Sequence, residues 1–205
     1  MDMATPRGKA WRERTAAAVL LVPAAPFLAL GAAAIWIEGR VDRGARGPIL
    51  FREPRIAEGR VVQLLKFRTL DAAALAELGP GPTHIAHFER AGRMTRSGAL
   101  LKQWYLDELP QLWNVARGDF GLIGTRPFPI ELYEDELARG ITRKRDMPAG
   151  LIGPVQSRKG TPMNTVAVDL EYWEAVQTLP AWRLLVLDVR ILVRSLRVLL
   201  EHKGI

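Results

Sequence analysis

Asp107 and Glu108 stand side by side in the stretch LDELPQ at 106–111, with a proline three residues after the aspartate. A little further on, the glycine-punctuated run GDFGLIGTRP at 118–127 ends on an arginine and a proline. Carboxylates near tight turns and arginines suit a site for a phosphorylated substrate and a hard metal ion. Carboxylate oxygens hold such ions, and a guanidinium fork matches phosphate geometry. The same residues also read as the start of a helix. Asp107 would then be an N-cap, Glu108 would sit at the positive helix end, and Pro110 would occupy the first turn. The two readings are compatible, because a cap can also be part of a site.

A chain of 205 residues is long enough for a proper core. Its net charge of +7 points to a polyanionic partner: nucleic acid, an anionic membrane surface or phosphorylated substrates. The absence of cysteine excludes a disulfide framework, a thiolate zinc site and a thiol nucleophile. Six tryptophans are many for this length, and tryptophan favours membrane–water interfaces. His84 and His87 form an H-x-x-H pair, but with no third ligand at a recognisable spacing they read as loop or surface residues.

The elements that must position the acids begin with an apolar segment. Residues 15–37 carry no charge, and as a straight helix they would reach about 34 Å, enough for a hydrocarbon core of about 30 Å. A cleaved signal peptide fits poorly, since the apolar part is long and lacks a polar region before a cleavage site. Pro23 and Pro26 interrupt the middle of the run, where each removes a backbone donor and predicts a kink. Arg7, Lys9, Arg12 and Arg14 precede the segment, and Arg40, Arg43 and Arg46 follow it. A spanning helix would leave one basic cluster outside, whereas a helix that turns back at the prolines keeps both on the cytoplasmic face. Spanning and re-entrant readings both stand at this point.

Beyond the segment, residues 49–53 and 60–69 read as strands, 71–78 as a short helix and 79–82 as a loop. Residues 97–104 read as helix, and 129–139 as a short acidic helix with a solvated face. The basic run at 139–145 leads into a glycine- and proline-rich loop. Use of that run for nucleic acid lacks support, because exposed aromatics and any recognisable nucleic-acid module are missing. Residues 180–201 form a basic amphipathic helix in which Arg183, Arg190, Arg194 and Arg197 share one face. Asp188 falls nearly opposite them, so it is expected to point inward and to need a basic partner.

Taken in order, these blocks resemble the bacterial sugar transferase family, the monotopic polyprenyl-phosphate phosphoglycosyl transferases. The resemblance covers almost the whole chain. After the apolar hairpin come GPILFREPRI at 47–56, KFRT at 66–69, MTRSG at 94–98 and LDELPQLWNV at 106–115. Then follow GDF at 118–120, GTRP at 124–127, GLIG at 150–153 and DVRIL at 188–192. Each block alone is weak; in this order and spacing they are strongly specific.

The resemblance implies an α+β fold, mainly helical with a small β-sheet drawn from the 48–69 and 150–156 regions. It implies a re-entrant membrane segment at 1–40, broken at Pro26, and a cytoplasmic catalytic domain at 41–205 ending in the amphipathic surface helix. The implied activity moves a phosphosugar from a nucleotide sugar, usually a UDP-sugar, onto polyprenyl phosphate and releases UMP. This is a membrane step of surface-glycan synthesis at the cytoplasmic face of the bacterial inner membrane. The implied partners are the donor, the lipid acceptor and the bilayer, with no nucleic acid.

Within that scheme Asp107 matches a nucleophile that carries the phosphosugar. Glu108 matches the second acid, either helping to hold Mg2+ or handling the acceptor's proton. Mg2+ would be held at Asp107 and Glu108. Arg126 matches a phosphate contact, with Lys66, Arg68, Lys102 and Arg158 as further anion contacts. The chain departs from the family at Lys102, where many members carry arginine, so a point charge replaces a bidentate fork. Ala91 stands where aspartate is common, and Thr125, Ala149 and Pro154 also depart from the usual pattern. These departures touch sugar and nucleotide recognition and leave the acid pair intact. The competing function is a catalytically degenerate membrane-surface scaffold of a glycan assembly complex.

Overall fold

A computed structural model describes residues 7–78 and 85–201. The order of elements is α1 (Arg7–Val41), β1 (Leu50–Ala57), β2 (Arg60–Phe67), α2 (Ala72–Leu78), α3 (Ile85–Arg90), α4 (Arg96–Gln103) and α5 (Gln111–Arg117). Then come β3 (Gly121–Ile123), α6 (Ile130–Ala138), α7 (Arg143–Asp146), β4 (Gly150–Ile152), α8 (Thr165–Thr178) and α9 (Ala181–Leu200). The fold is α+β and mainly helical, with short 3₁₀ turns at Arg43–Ala45, Leu106–Glu108 and Gln156–Arg158. The chain divides into two compact units that interleave along the sequence. One comprises residues 1–18, 55–62 and 114–205, the other 19–54 and 63–113.

The apolar segment is part of α1, one helix of 35 residues with Pro23 and Pro26 inside it. The prolines do not end the helix, so any bend there has to be absorbed within the helix rather than by a loop. Among the described residues this is the helix long and apolar enough to cross a membrane. Much of its apolar surface is uncovered, including Val19, Val22, Phe27, Leu30 and Ile37.

In the second unit, the C-terminal part of α1 packs on β2 and α4: Ile35, Phe67 and Leu101 form a buried cluster that Leu28, Ala32 and Leu106 extend. Gly31 makes the close approach possible, since a methyl group there would meet the Phe67 ring at 2.9 Å. Glu38 accepts from the backbone N–H groups of Arg96 and Ser97 at 2.7 and 2.8 Å, satisfying donors at the start of α4. A second cluster, Leu70, Ala74, Leu78 and Ile85, joins α2 to α3.

The strands form two sheets rather than one. β1 and β2 are joined through Glu58 and Gly59, whose φ values of +51° and +74° fit the type I′ turn that matches strand twist. In the first unit, β3 and β4 pair in parallel, Gly121 opposite Gly150 and Ile123 opposite Ile152. Thus 150–152 does form a strand, but it pairs with 121–123 rather than joining the 48–69 hairpin. Gly124 and Gly150 allow this, because a side-chain carbon on either would run into the opposing backbone.

A buried ionic network fastens the start of α1 within the first unit. Lys9 donates to Glu13 one turn on and to Asp188 of α9 at 2.9 Å. Tyr172 of α8 donates to Asp188 at 2.8 Å, and Glu13 accepts from the N–H groups of Leu122 and Ile123 in β3 at 3.2 and 3.1 Å. Asp188 therefore points inward and has the basic partner its position on α9 required. Replacing Lys9 with Met strands two buried carboxylates. Unfolding in detergent is expected to show a loss of about 3–5 kcal/mol, partly restored when Asp188 is also made apolar.

Candidate active site

Asp107 and Glu108 sit inside the 3₁₀ turn Leu106–Glu108, not at the N-cap of the following helix; α5 begins at Gln111. The cap reading is therefore corrected. Tyr105, at the N-cap of that turn, adopts a left-handed conformation with φ +56° and donates no side-chain cap. A non-glycine residue there costs about 1 kcal/mol or more, which the packing around it must offset. Leu106 packs onto the cluster of Ile35, Phe67 and Leu101, so the turn is anchored one residue before the aspartate.

Asp107 is 4% exposed, and its carboxyl pKa is pushed up to about 6. Burial is the main cause, and the neighbouring Glu108 adds to it. Lys66 and Lys102 pull the other way, while Glu89 pushes up again. The carboxyl group is thus more basic than an ordinary aspartate yet ionised near neutral pH. Lys66 comes from the end of β2, with its ammonium 2.9 Å from Glu53 and 3.9 Å from Glu108. Lys102, in the last turn of α4, pairs with Glu89 at 2.6 Å. The second unit therefore gathers Asp107, Glu108, Lys66 and Lys102 into one charged group.

Arg68 is placed differently from expectation. It is 1% exposed, and its guanidinium donates to the carbonyls of Pro48, Leu70 and Ala45 at 2.9, 2.7 and 2.7 Å. Those bonds occupy the fork that a phosphate would need, so Arg68 ties β2 to the segment before β1. Substituting Gln strands buried carbonyls and is expected to cost about 2–4 kcal/mol of stability in denaturant melts. The donor KM of the folded fraction is expected to stay unchanged.

Arg126 is exposed on the segment after β3, and Arg158 pairs with Glu171 at 3.0 Å; both belong to the first unit. Pro26 lies within α1. His87 is exposed and packs edge-to-face on Phe88, while His84 and the 79–82 loop lie outside the described residues. In the basic run, Arg139, Arg143, Lys144 and Arg145 pair with Asp135, Glu136, Asp169 and Asp146, which lowers the charge on offer to a polyanion.

Two residues of this group escaped the sequence reading. Glu53 carried a usable signal, because a two-residue turn at Glu58 and Gly59 puts it on the same hairpin face as Lys66. Glu89 carried none, lying on a short helix of no evident pattern.

The donor set can be tested against Mg2+. Among the described residues no group of three or more histidine and acidic side chains forms a ready-made metal cage. Mg2+ does not need one, since it is commonly held by one or two carboxylates together with substrate phosphates and water. Asp107 and Glu108 fit that mode.

Comparison with known proteins shows the family. The chain matches the model of the family described as bacterial sugar transferase over residues 5–202. It belongs to that family. A UDP-glucose:undecaprenyl-phosphate glucose-1-phosphate transferase of Caulobacter vibrioides is 36% identical over 198 residues, covering 90% of this chain and 67% of that protein. An undecaprenyl-phosphate glucose phosphotransferase of Komagataeibacter xylinus is 30% identical over 205 residues, covering 89% and 34%. A UDP-N-acetylgalactosamine-undecaprenyl-phosphate N-acetylgalactosaminephosphotransferase of Aeromonas hydrophila is 28% identical over 197 residues, covering 92% and 43%. The chain thus spans about two thirds of the first relative and less than half of the other two.

Proposed function

We propose that this chain transfers a phosphosugar from a nucleotide sugar, with UDP-sugars as the first candidates, to polyprenyl phosphate. The observation that carries the reading is Asp107, a buried carboxylate of raised basicity beside Glu108, Lys66 and Lys102. Family membership and the names of the three relatives support the substrate classes.

In the proposed chemistry an oxygen of Asp107 forms a bond to the β-phosphorus of the donor. The bond from that phosphorus to the bridging oxygen breaks, and the nucleoside monophosphate leaves with the electron pair. The phosphosugar then sits on Asp107 as an acyl phosphate. A phosphate oxygen of the polyprenyl carrier attacks the same phosphorus, and the Asp107 carboxylate leaves. Splitting the exchange lets one site serve a soluble and a lipid substrate in turn. A carboxylate attacking a diphosphate faces like charge. Lys66 and Lys102 lower that barrier, and Mg2+ held by Asp107 and Glu108 would supply further charge neutralisation when bound. Glu108 is also suited to take the acceptor's proton. Arg126, exposed and flanked by Pro127, is a proposed phosphate contact.

The proposed location is the cytoplasmic face of the inner membrane, with α1 dipping into the bilayer. Lys9, Glu13 and Arg14 bond to residues 188, 122–123 and 116–117, and Glu38 bonds to 96–97. Among the described residues after α1 no second helix is apolar enough to cross. In this reading α1 enters and returns, with Pro23 and Pro26 as the positions lacking a helix donor and basic residues on both sides of the apolar run held at the cytoplasmic face.

The test incubates the chain in detergent or vesicles with Mg2+ and a panel of nucleotide sugars. Nucleoside monophosphate release and a phosphosugar mass adduct on Asp107 are expected with at least one donor. Vesicle binding without release across the panel favours the scaffold reading instead.

A further inference from the structure

Glu89 has no part in the chemistry above, yet both of its carboxylate oxygens are engaged. Thr69 Oγ1 donates to Oε1 at 2.9 Å, and Lys102 Nζ donates to Oε2 at 2.6 Å. The Glu89 side chain is 11% exposed, whereas that of Lys102 is 42% exposed. A lysine on a flexible stem with that much access to water would otherwise sample many rotamers, at about 2 kcal/mol of side-chain entropy. Glu89 selects one of them.

Its own placement is secured by the fold. Thr69 is 5% exposed, and its carbonyl accepts the N–H of Thr95 at 2.9 Å. Thr95 is the N-cap of α4, and its hydroxyl accepts the N–H of Gly98 at 3.0 Å. Gly98 lies so close to Thr69 that a side-chain carbon there would collide with the Thr69 backbone. Thr69 thus holds the start of α4 through its carbonyl and, through Glu89, the lysine at the end of α4. Glu89 and Lys66 also line one small hollow with Phe51, Thr69 and Ile85. A partly exposed ion pair contributes little to stability, so its double anchoring has a better account in placement than in folding.

We propose that Glu89, held by Thr69, is a positioning residue that fixes the Lys102 ammonium beside Asp107, where it meets the diphosphate of the donor. The inference rests on the phosphosugar-transfer reading. It explains how a lysine at this position can act as a directed contact: the aim that a guanidinium fork carries in its own geometry is here supplied by a second side chain.

The experiment is a double-mutant cycle on donor kcat/KM with wild type, Glu89→Gln, Lys102→Met and the double variant, accompanied by melting temperatures. Glu89→Gln is expected to lower kcat/KM about tenfold, within the range for coupled neighbours, mainly by raising donor KM. The double variant is expected to match Lys102→Met alone, because Glu89 acts only through the lysine. Glu89→Asp is expected to fall between wild type and Glu89→Gln, and Thr69→Val to raise KM in the same direction. Melting temperatures are expected to change little. Additive losses, or a Glu89→Gln defect that follows melting temperature and leaves KM untouched, overturn the inference while transfer activity stands. A wild-type chain inactive with every donor overturns the transfer reading and this inference with it.

Discussion

Asp107→Asn is expected to remove nucleoside monophosphate release almost entirely, by about 10⁴-fold or more, as for loss of a covalent nucleophile elsewhere. The phosphosugar adduct expected by intact mass on wild type is expected to be absent from the variant. The reasoning is local. Asparagine preserves the shape of a side chain that is 4% exposed, so the turn and its neighbours remain in place. What disappears is the anionic oxygen that attacks phosphorus. Glu108 cannot substitute, since it occupies the next position on a 3₁₀ turn and projects in another direction. Glu108→Gln is accordingly expected to slow turnover while leaving the adduct detectable on Asp107. Equal activity of Asp107→Asn and wild type would place the nucleophile elsewhere.

The same substitution is expected to make the protein more stable, with a definite pH dependence. The Asp107 pKa of about 6 in the fold lies above its ordinary value of 3.8, chiefly through burial and the charge of Glu108. The folded state therefore binds the proton more tightly than the unfolded chain. Stability associated with the neutral carboxyl is fully present below about pH 4 and is lost as pH rises through about 6. Above that, carrying the buried charge costs on the order of 3 kcal/mol. Denaturation in detergent with a chelator present is expected to show Asp107→Asn and wild type alike near pH 4. The variant gains on wild type up to about pH 7 and keeps a constant lead beyond. A gap independent of pH would mean that Asn stabilises for a reason unrelated to charge. The trade is a common one, in which a reactive group is kept charged in a site that does not favour it.

Much of the fold was legible because it depends on local pattern. The strands around Gly59, the short helix after Asp71 and the long amphipathic helix of 181–200 each declare themselves through periodicity and turn residues. The inward direction of Asp188 follows from helical spacing alone. Its partner could not be read, because Lys9 lies 179 residues away and nothing local links the two. The pairing of 150–152 with 121–123 was missed for a related reason. Glycines that look like loop residues in one dimension serve here to let two backbones approach closely.

The chemistry divides in the same way. From residue types and order alone come the family, the adjacent acids and the long apolar helix interrupted by prolines, because each is a contiguous stretch whose meaning survives without coordinates. Tertiary structure alone separates the cations. Lys66 lies near the end of β2 and Arg68 just past it, yet the surrounding carbonyls draw Arg68 into the main chain while Lys66 faces Glu108. Only packing buries Asp107 and raises its pKa, and only packing brings Glu89 to Lys102. Burial and ion pairing are properties of what surrounds a side chain, and those surroundings are assembled from segments far apart in the chain.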